Sequence, residues 1–197
     1  MSELSFVSKK GTQIQSLITD LAALRIAVFR DFPYLYEGTF EYEQEYLQTY
    51  IQAPNSLLFA VFDQGKMIGA TTCIPLVHET PEVQEPFIEA GIDLTKIFYF
   101  GESILLSQYR GLGLGHRFFD EREAHARSFG KYTTTCFCGV VREENHPMKP
   151  ADYQPLDNFW IKRGYQKQTE LKSNFEWLDM GEKAATSKTM IYWSKEI

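Results

Sequence analysis

The segment Gln108-Tyr109-Arg110-Gly111-Leu112-Gly113-Leu114-Gly115 decides the fold expected for this chain. An apolar, β-prone run at residues 97–106 precedes it. A segment of helical spacing follows, in which one stripe contains Leu114, Phe118, Phe119, Arg122, Ala126 and Phe129. Gly130 then stands where a helix would end. A strand, a glycine-rich turn and a helix in this order direct free backbone N–H groups at one spot, which favours an anion such as a pyrophosphate.

Two common phosphate-binding motifs do not fit this turn. The dinucleotide fingerprint G-x-G-x-x-G would require glycine at His116 or Phe118, and a P-loop would require Gly-Lys-Ser/Thr after the turn. The pattern that remains is R-x-x-G-x-G, formed by Arg110, Gly113 and Gly115. It resembles the coenzyme A loop of the GNAT superfamily of N-acetyltransferases, which lies between a strand and a helix. A glycine-rich turn without a ligand is the alternative interpretation.

A second motif supports the same resemblance. The late segment Phe159-Trp160-Ile161-Lys162-Arg163-Gly164-Tyr165 is similar to the family pattern Phe-Tyr-x-x-x-Gly-Phe/Tyr. The coarse element order β-α-α-β-β-β-α-β-α-β-β is also similar to the GNAT fold over nearly the whole chain. We therefore expect an α/β (α+β) protein with a mixed, mostly antiparallel central sheet flanked by helices. Its length of 197 residues fits a single domain spanning residues 1–197.

The individual elements follow from periodicity and from turn residues. A capping box at Thr12-x-x-Gln15 predicts a helix that ends near Asp31, and a second helix is predicted over 40–52, with a solvated acidic face of Glu41, Glu43 and Glu45. A short helix ending at Gly91 is expected within the insertion 75–95, and another at 156–163. Strands are predicted at residues 4–7, 57–62, 66–74, 132–141, 170–178 and 189–195.

Composition narrows the class of protein. With 44% hydrophobic and 23% charged residues, the chain has the composition of a globular protein. A formal net charge of −6 argues against a nucleic-acid binder that depends on phosphate neutralisation. The sequence contains no apolar run of about 20 residues, so no membrane span is predicted. Three cysteines without a secretory signal indicate free thiols in a reducing compartment, so a cytoplasmic location is expected.

The resemblance implies an acetyl-CoA-dependent N-acetyltransferase that moves an acetyl group directly to a primary amine in a ternary complex. The acceptor would be a small metabolite or a peptide, no metal is implied, and a homodimer is left open. By position, the pantetheine arm would contact the backbone of the central strand and the pyrophosphate would contact the loop. The cofactor-binding residues expected on this basis are Ile104, Leu105, Leu106, Arg110, Gly111, Leu112, Gly113, Leu114, Gly115 and His116.

Glu102 is the expected general base. It shares strand parity with Phe98, Phe100 and Ile104, which places a carboxylate among apolar side chains unless a bulge shifts the register. A lysine-like amine has a pKa of about 10.4, so a base or a dry pocket must help to remove its proton. Many GNAT enzymes carry a glutamate base on this strand. The alternative is that Glu102 pairs with a cation or with backbone across the strands.

The general acid is less clearly indicated, because Trp160 occupies the position of the family's tyrosine and an indole is no useful proton donor. Tyr153 is the expected substitute; otherwise the thiolate leaves unprotonated. Tyr153 and His146 lie in the long polar loop 142–155, which is expected to flank the acceptor pocket together with the aromatic loop 31–38.

A covalent route through a thiol is a separate possibility. Cys136 and Cys138 lie on one face of a strand, and His116, His125 and His146 are conceivable bases. Strand cysteines are more often core residues, so direct transfer is preferred. Two other functions stay open: an acyl-CoA-binding regulatory module with little turnover, indicated by Trp160, and a nucleotide-binding domain unrelated to acyl transfer. The acceptor amine and the acyl chain length have no signature in the sequence.

Overall fold

Seven strands form one mixed sheet in the computed structural model, which describes residues 3–197. The order across the sheet is β1-β2-β3-β4-β5-β7-β6. Only β4 and β5 pair in parallel; the other neighbouring strands are antiparallel. The strands are β1 (Ser5–Lys10), β2 (Leu57–Asp63), β3 (Lys66–Pro75), β4 (Ile97–Leu105), β5 (Thr134–Val140), β6 (Gln166–Trp177) and β7 (Thr186–Glu196). This architecture confirms the predicted fold class.

Six α-helices connect and cover the strands of this sheet within the described residues. They are α1 (Ile18–Phe29), α2 (Phe40–Tyr46), α3 (Gln48–Gln52), α4 (Pro81–Glu89), α5 (Leu114–Arg127) and α6 (Asp157–Lys162). Helices α1 and α5 both pack against β3 and β4, and they lie on opposite faces of the sheet. The order of elements matches the expected one once α2 and α3 count as one interrupted helix and α4 as the insertion.

Alternation along the strands creates a core on each face of the sheet. On the α1 face, Tyr99 of β4 packs in a cluster with Leu21 and Ile74. On the α5 face, Phe98 and Phe100 pack with Phe119. Successive residues of a strand point to opposite faces, so one apolar strand contributes to both cores. The predicted apolar stripe of α5 is confirmed, because its members from Leu114 to Ala126 are buried.

The local turn predictions were mostly confirmed. Strands β2 and β3 are joined by a tight hairpin turn, in which Gln64 and Gly65 both have positive φ, as a two-residue turn of this kind requires. Helix α4 ends at Glu89, and Gly91 follows with φ 69°, as expected.

Three predictions about the first helices were wrong. The capping box at Thr12 does not form: residues 11–17 are a 3-10 segment without a side-chain cap, and α1 begins only at Ile18. The helix predicted over 40–52 is divided at Leu47, which is fully buried. Glu43 does not lie on a solvated face, because it is 0% exposed and binds Arg25 of α1. The partner of Glu43 lies 18 residues away, beyond the range of local patterns.

Candidate active site

Strands β4 and β5 diverge soon after they meet. Their pairing is limited to Ile97–Tyr99 of β4 with Thr134–Cys136 of β5, whereas β4 remains paired with β3 as far as Leu105. Residues 100–105 of β4 therefore face a gap on their β5 side, which we call the β4–β5 gap. In a β-strand, N–H and C=O groups on an unpaired side are available to another extended chain.

The three β4 positions expected to contact the cofactor differ in their surroundings. Ile104 is buried on the α1 face, and Leu105 packs with the cluster on the α5 face. Leu106 lies just beyond the strand, where its N–H donates to Ile68 O at 2.9 Å and its carbonyl accepts from Tyr109 N at 3.0 Å. The backbone of Leu106 is thus already hydrogen-bonded, and alternation along the strand directs the backbone of Ile104 to its partner Ala70 on β3 as well. Leu105 is the expected position whose backbone faces the gap.

The glycine-rich loop leads into α5 with an open N-terminus. Gly111 and Gly113 have φ values of 81° and 79°, and a Cβ atom built on either would meet nothing within 4 Å. Gly113 is the N-cap of α5, and no side chain caps the helix. The N–H groups of the first turn, residues 114–116, lack intrahelical acceptors, which fits the binding of a phosphate anion.

The other residues of this loop surround the helix start. Leu112 is exposed, and the guanidinium of Arg110 is exposed with its nearest carboxylate, Asp31, at 4.0 Å. The His116 ring packs edge-on against Phe159 of α6 at 4.9 Å, so the two sequence motifs meet in space. A Cβ atom on Gly115 would lie 3.6 Å from the same phenyl ring.

A β-bulge in β4 determines where Glu102 points. Thr71 pairs with Ser103 and Cys73 pairs with Phe100, so Gly101 and Glu102 together oppose Thr72. The extra residue reverses the alternation beyond this point. Glu102 therefore lies on the α1 face with Ile104 rather than with Phe98 and Phe100, which is the exception that the sequence prediction allowed for a bulge. Its burial was predicted correctly, since Glu102 is 2% exposed.

Glu102 is part of a buried ionic cluster. One carboxylate oxygen accepts from Arg25 Nη1 and the other from Thr72 Oγ1. Arg25 also binds Glu43 through Nε, and Glu43 Oε1 has no hydrogen-bond partner among the described residues. Burial is the largest single influence on the pKa of the Arg25 guanidinium and lowers it, but the charge and hydrogen bond of Glu43 together with Tyr46 and Tyr50 outweigh burial and raise that pKa. The pairing of Glu102 with a cation, left open from the sequence, is present.

The two loops expected beside the acceptor pocket contact each other. Phe32 packs edge-on against Tyr153 at 4.7 Å and against His146 at 5.6 Å. Arg142, at the end of β5, donates to the carbonyls of Pro33 and Tyr34, both at 2.7 Å. The loops 31–38 and 142–155 are thus packed against each other.

Arg142 also binds the segment that joins β6 to β7. Its Nη1 and Nη2 donate to the two carboxylate oxygens of Asp179 at 2.6 and 2.9 Å. Tyr36 of the 31–38 loop forms an isolated bridge with Asp179, and Glu37 N donates to Leu178 O at 2.8 Å. We call this set of contacts the Arg142 clamp. It fastens the 31–38 loop to the last hairpin of the chain.

Tyr153 and Trp160 occupy different surroundings. Tyr153 is half-buried, and burial, followed by the charge of Asp157, raises its pKa, which keeps the phenol protonated. Trp160 packs on Trp193 at 5.1 Å, and a Cβ on Gly139 of β5 would lie 3.2 Å from its indole ring. Trp160 therefore serves as a packing residue on the α5 face.

Nothing in the described residues favours a nucleophilic cysteine. Cys136 and Cys138 lie on the same face of β5, as predicted, and burial raises the pKa of both, that of Cys138 to about 12. A thiol in this state is a poor nucleophile. The three histidines have other neighbours: Phe159 for His116, Asn55 O for His125 and Phe32 for His146.

Sequence reasoning did not single out the buried polar residues Arg25, Glu79 and Arg142, and it placed Glu43 on a solvated face. Each has its partner 18 or more residues away, so no local motif indicates it. The one usable signal was an arginine within the apolar spacing of α1, which requires a buried acidic partner.

Comparison with known proteins assigns this site to a class. Residues 21–151 match the family model of the acetyltransferase (GNAT) family. The chain therefore belongs to the GNAT family and is a GNAT-type N-acetyltransferase, a class that uses acetyl-CoA. Comparison with curated proteins found no match.

Solved structures agree on the fold. A GNAT acetyltransferase from Streptococcus pneumoniae is 14% identical, with a TM-score of 0.59 over 99% of this chain and 100% of that one. A ribosomal-protein-alanine N-acetyltransferase from Brucella melitensis is 12% identical, with a TM-score of 0.60 over 97% and 99%. Arabidopsis thaliana NAA60, in complex with a bisubstrate analogue, is 12% identical, with a TM-score of 0.60 over 98% and 99%.

Among residues 3–197, no helix combines the length and apolar character needed to cross a bilayer. The same residues contain no group of three or more His, Cys, Asp or Glu side chains arranged to hold a metal ion.

Proposed function

We propose that this protein transfers an acetyl group from acetyl-CoA directly to a primary amine of a small metabolite or peptide, with residues 1–197 acting as one domain. The observation that carries the proposal is the position of the uncapped α5 N-terminus beside the β4–β5 gap. An anion-binding helix end and an unpaired strand edge suit a ligand with a pyrophosphate and an amide-containing arm. The continuity of the sheet across the described chain supports one domain.

The cofactor contacts proposed are those of the loop and of the strand edge. The N–H groups of residues 111–116, with Arg110, would bind the phosphates, and the backbone of Leu105 would pair with the pantetheine arm. When bound, acetyl-CoA supplies the activated acetyl group. The chain itself positions the amine, excludes water and manages protons. Of the ten positions expected from sequence, Ile104 and Leu106 have the weakest support, because the backbone of each is directed at β3.

Glu102 is proposed as the general base and Tyr153 as the general acid. Glu102 Oε2 accepts a hydrogen bond from the Thr72 hydroxyl, and in the proposed complex the amine takes the place of that hydroxyl and gives its proton to the carboxylate. Burial raises the pKa of the Tyr153 phenol, so the hydroxyl keeps the proton that a general acid must donate. A cytoplasmic location is proposed for the chain, in line with its free cysteines.

The experiment is a thermal unfolding series with acetyl-CoA, NAD and ATP, followed by thiol release with amines. A ligand at about 100 times its dissociation constant should stabilise by about 2.7 kcal/mol, so acetyl-CoA alone should raise Tm. Thiol release on adding a primary amine then establishes transfer. A rise in Tm without thiol release would favour an acyl-CoA-binding regulatory module, the function that Trp160 at the tyrosine position supports. No rise with acetyl-CoA would refute both.

A further inference from the structure

A buried carboxylate outside the sequence-predicted site is linked to the site by two phenols. Tyr50 donates a hydrogen bond to Glu79 Oε1 at 2.7 Å, and the hydroxyls of Tyr46 and Tyr50 lie 3.3 Å apart. Glu79 is 4% exposed and Tyr50 is 0% exposed. Because a buried ionisable group costs free energy, a chain of three such groups beside a reactive cleft suggests a use.

Tyr46 is the outer end of this hydrogen-bonded series of three side chains, and it is half-buried. Its ring lies 4.6 Å from the guanidinium of Arg25, the same arginine that binds Glu102. In the middle of the series, the Tyr50 hydroxyl lies close to the backbone of β4: a Cβ atom on Gly101 would be 2.0 Å from it. The phenols therefore run along β4 on the face that carries Glu102, from a partly accessible position to a buried acid.

The surroundings of Glu79 make it a stronger base than an exposed glutamate. Burial is the largest influence and raises its pKa, although the Tyr50 hydroxyl, the Thr80 N–H at 3.1 Å and the charge of Arg25 act in the opposite direction. Glu82 adds to the rise. A carboxylate with a raised pKa holds a transferred proton more firmly than one at its ordinary value.

The reaction requires two protons to leave the acceptor nitrogen. An alkylammonium with a pKa of about 10.4 is almost fully protonated at neutral pH and must lose one proton before it can attack the thioester. The nitrogen loses the second during amide formation, and one proton ends on the thiol. When both protons leave the nitrogen before the thiol is protonated, the site must hold two protons at once, and a single carboxylate such as Glu102 can hold only one.

We propose that Tyr46, Tyr50 and Glu79 form a proton-accepting chain for the acceptor ammonium, an inference that rests on the proposed function. The ammonium N–H bond breaks as the Tyr46 oxygen gains that proton. The original hydroxyl proton of Tyr46 passes to the Tyr50 oxygen, and that of Tyr50 passes to Glu79 Oε1, which becomes a neutral acid. No electrons are gained or lost, and Glu102 remains free for the second proton.

The test compares thiol release with acetyl-CoA and two minimal amines, ethylamine and 2,2,2-trifluoroethylamine. The fluorinated amine is already neutral at neutral pH and needs no first deprotonation. Tyr50→Phe should lower kcat/KM for ethylamine at least about tenfold at neutral pH and leave trifluoroethylamine nearly unchanged. The loss with ethylamine should disappear as the pH approaches the pKa of that amine. Tyr46→Phe, at a less buried position, should behave in the same way.

Tyr165→Phe is the matched control. Its phenol is also buried and hydrogen-bonded, to Thr135 at 2.9 Å and to Glu123 at 3.3 Å, but it lies on the opposite face of the sheet. Equal losses with both amines in Tyr50→Phe, or no loss with either, would overturn the proton chain while leaving the transferase function intact. If the wild-type protein released no thiol with either amine, both the proposed function and the proton-accepting chain would be refuted.

Discussion

Arg25 is the residue on which the buried charges of the site depend. One guanidinium balances Glu43 and Glu102, both almost completely buried. Arg25→Met should destabilise the protein by about 3–5 kcal/mol, because it leaves two buried carboxylates without a counter-ion. Urea unfolding measures this change.

A suitable control for that substitution is Arg30→Met. Arg30 pairs with Glu37 at 3.6 Å, and both side chains are largely exposed. The control should cost less than about 1 kcal/mol. If Arg25→Met were equally mild, the two carboxylates would not be ionised in the folded protein.

Glu102 should carry more of the catalysis than its neighbour Glu43. Glu102→Gln should lower the rate of amine acetylation about 10²-fold or more if Glu102 is the base, while the rise of Tm with acetyl-CoA persists. Glu43→Gln also loses an ion pair with Arg25 but lies on α2, away from β4. Its loss of rate should stay within about tenfold, as expected for an indirect effect on positioning. Steady-state rates across pH distinguish the two variants, and full activity of Glu102→Gln at every pH would refute the assignment.

At the scale of elements, the start of α5 provides the sharpest prediction. Gly113→Val should abolish the stabilisation by acetyl-CoA, since a side chain would stand where the phosphates approach the backbone. The fold should survive: φ is 79° but the surrounding space is open, so the cost is backbone strain of about 1–3 kcal/mol.

Gly65→Val supplies a matched control for this substitution. Gly65 has φ 80°, equally open surroundings and a place in the β2–β3 turn. It should lose a similar amount of stability and keep the full shift with acetyl-CoA. Isothermal titration of both variants gives the comparison, and unchanged affinity in Gly113→Val would argue that the loop does not bind the cofactor.

Elements whose signals are local were predictable from the sequence. The strands, the hairpin at Gln64 and Gly65, and the apolar stripe of α5 depend on periodicity and turn residues within a few positions. The bulge at Gly101 and Glu102 was not predictable, because it arises from the pairing of β4 with β3. One extra residue transferred the candidate base to the other face. The β4–β5 gap itself could be expected only through the family resemblance.

At the scale of the whole molecule, the Arg142 clamp connects three parts of the chain that lie far apart in sequence. Arg142→Gln should raise KM for the amine several-fold and leave acetyl-CoA affinity nearly unchanged, because the clamp holds the 31–38 loop and not the α5 N-terminus. Lys167→Gln is the control, since Lys167 forms an exposed ion pair with Asp157. Initial rates measured with each substrate varied in turn give the KM for the amine and the KM for acetyl-CoA separately. A change confined to the KM for acetyl-CoA would refute this role.

The clamp also determines which pieces of this protein can be exchanged with a relative. The 31–38 loop is bound by Arg142 from the end of β5 and by the residues around Asp179 before β7. A chimera that imports only this loop would retain an arginine that is oriented by Asp179 to donate to the carbonyls of the original loop. Exchanging the 31–38 loop without losing these contacts would therefore require moving all three segments together.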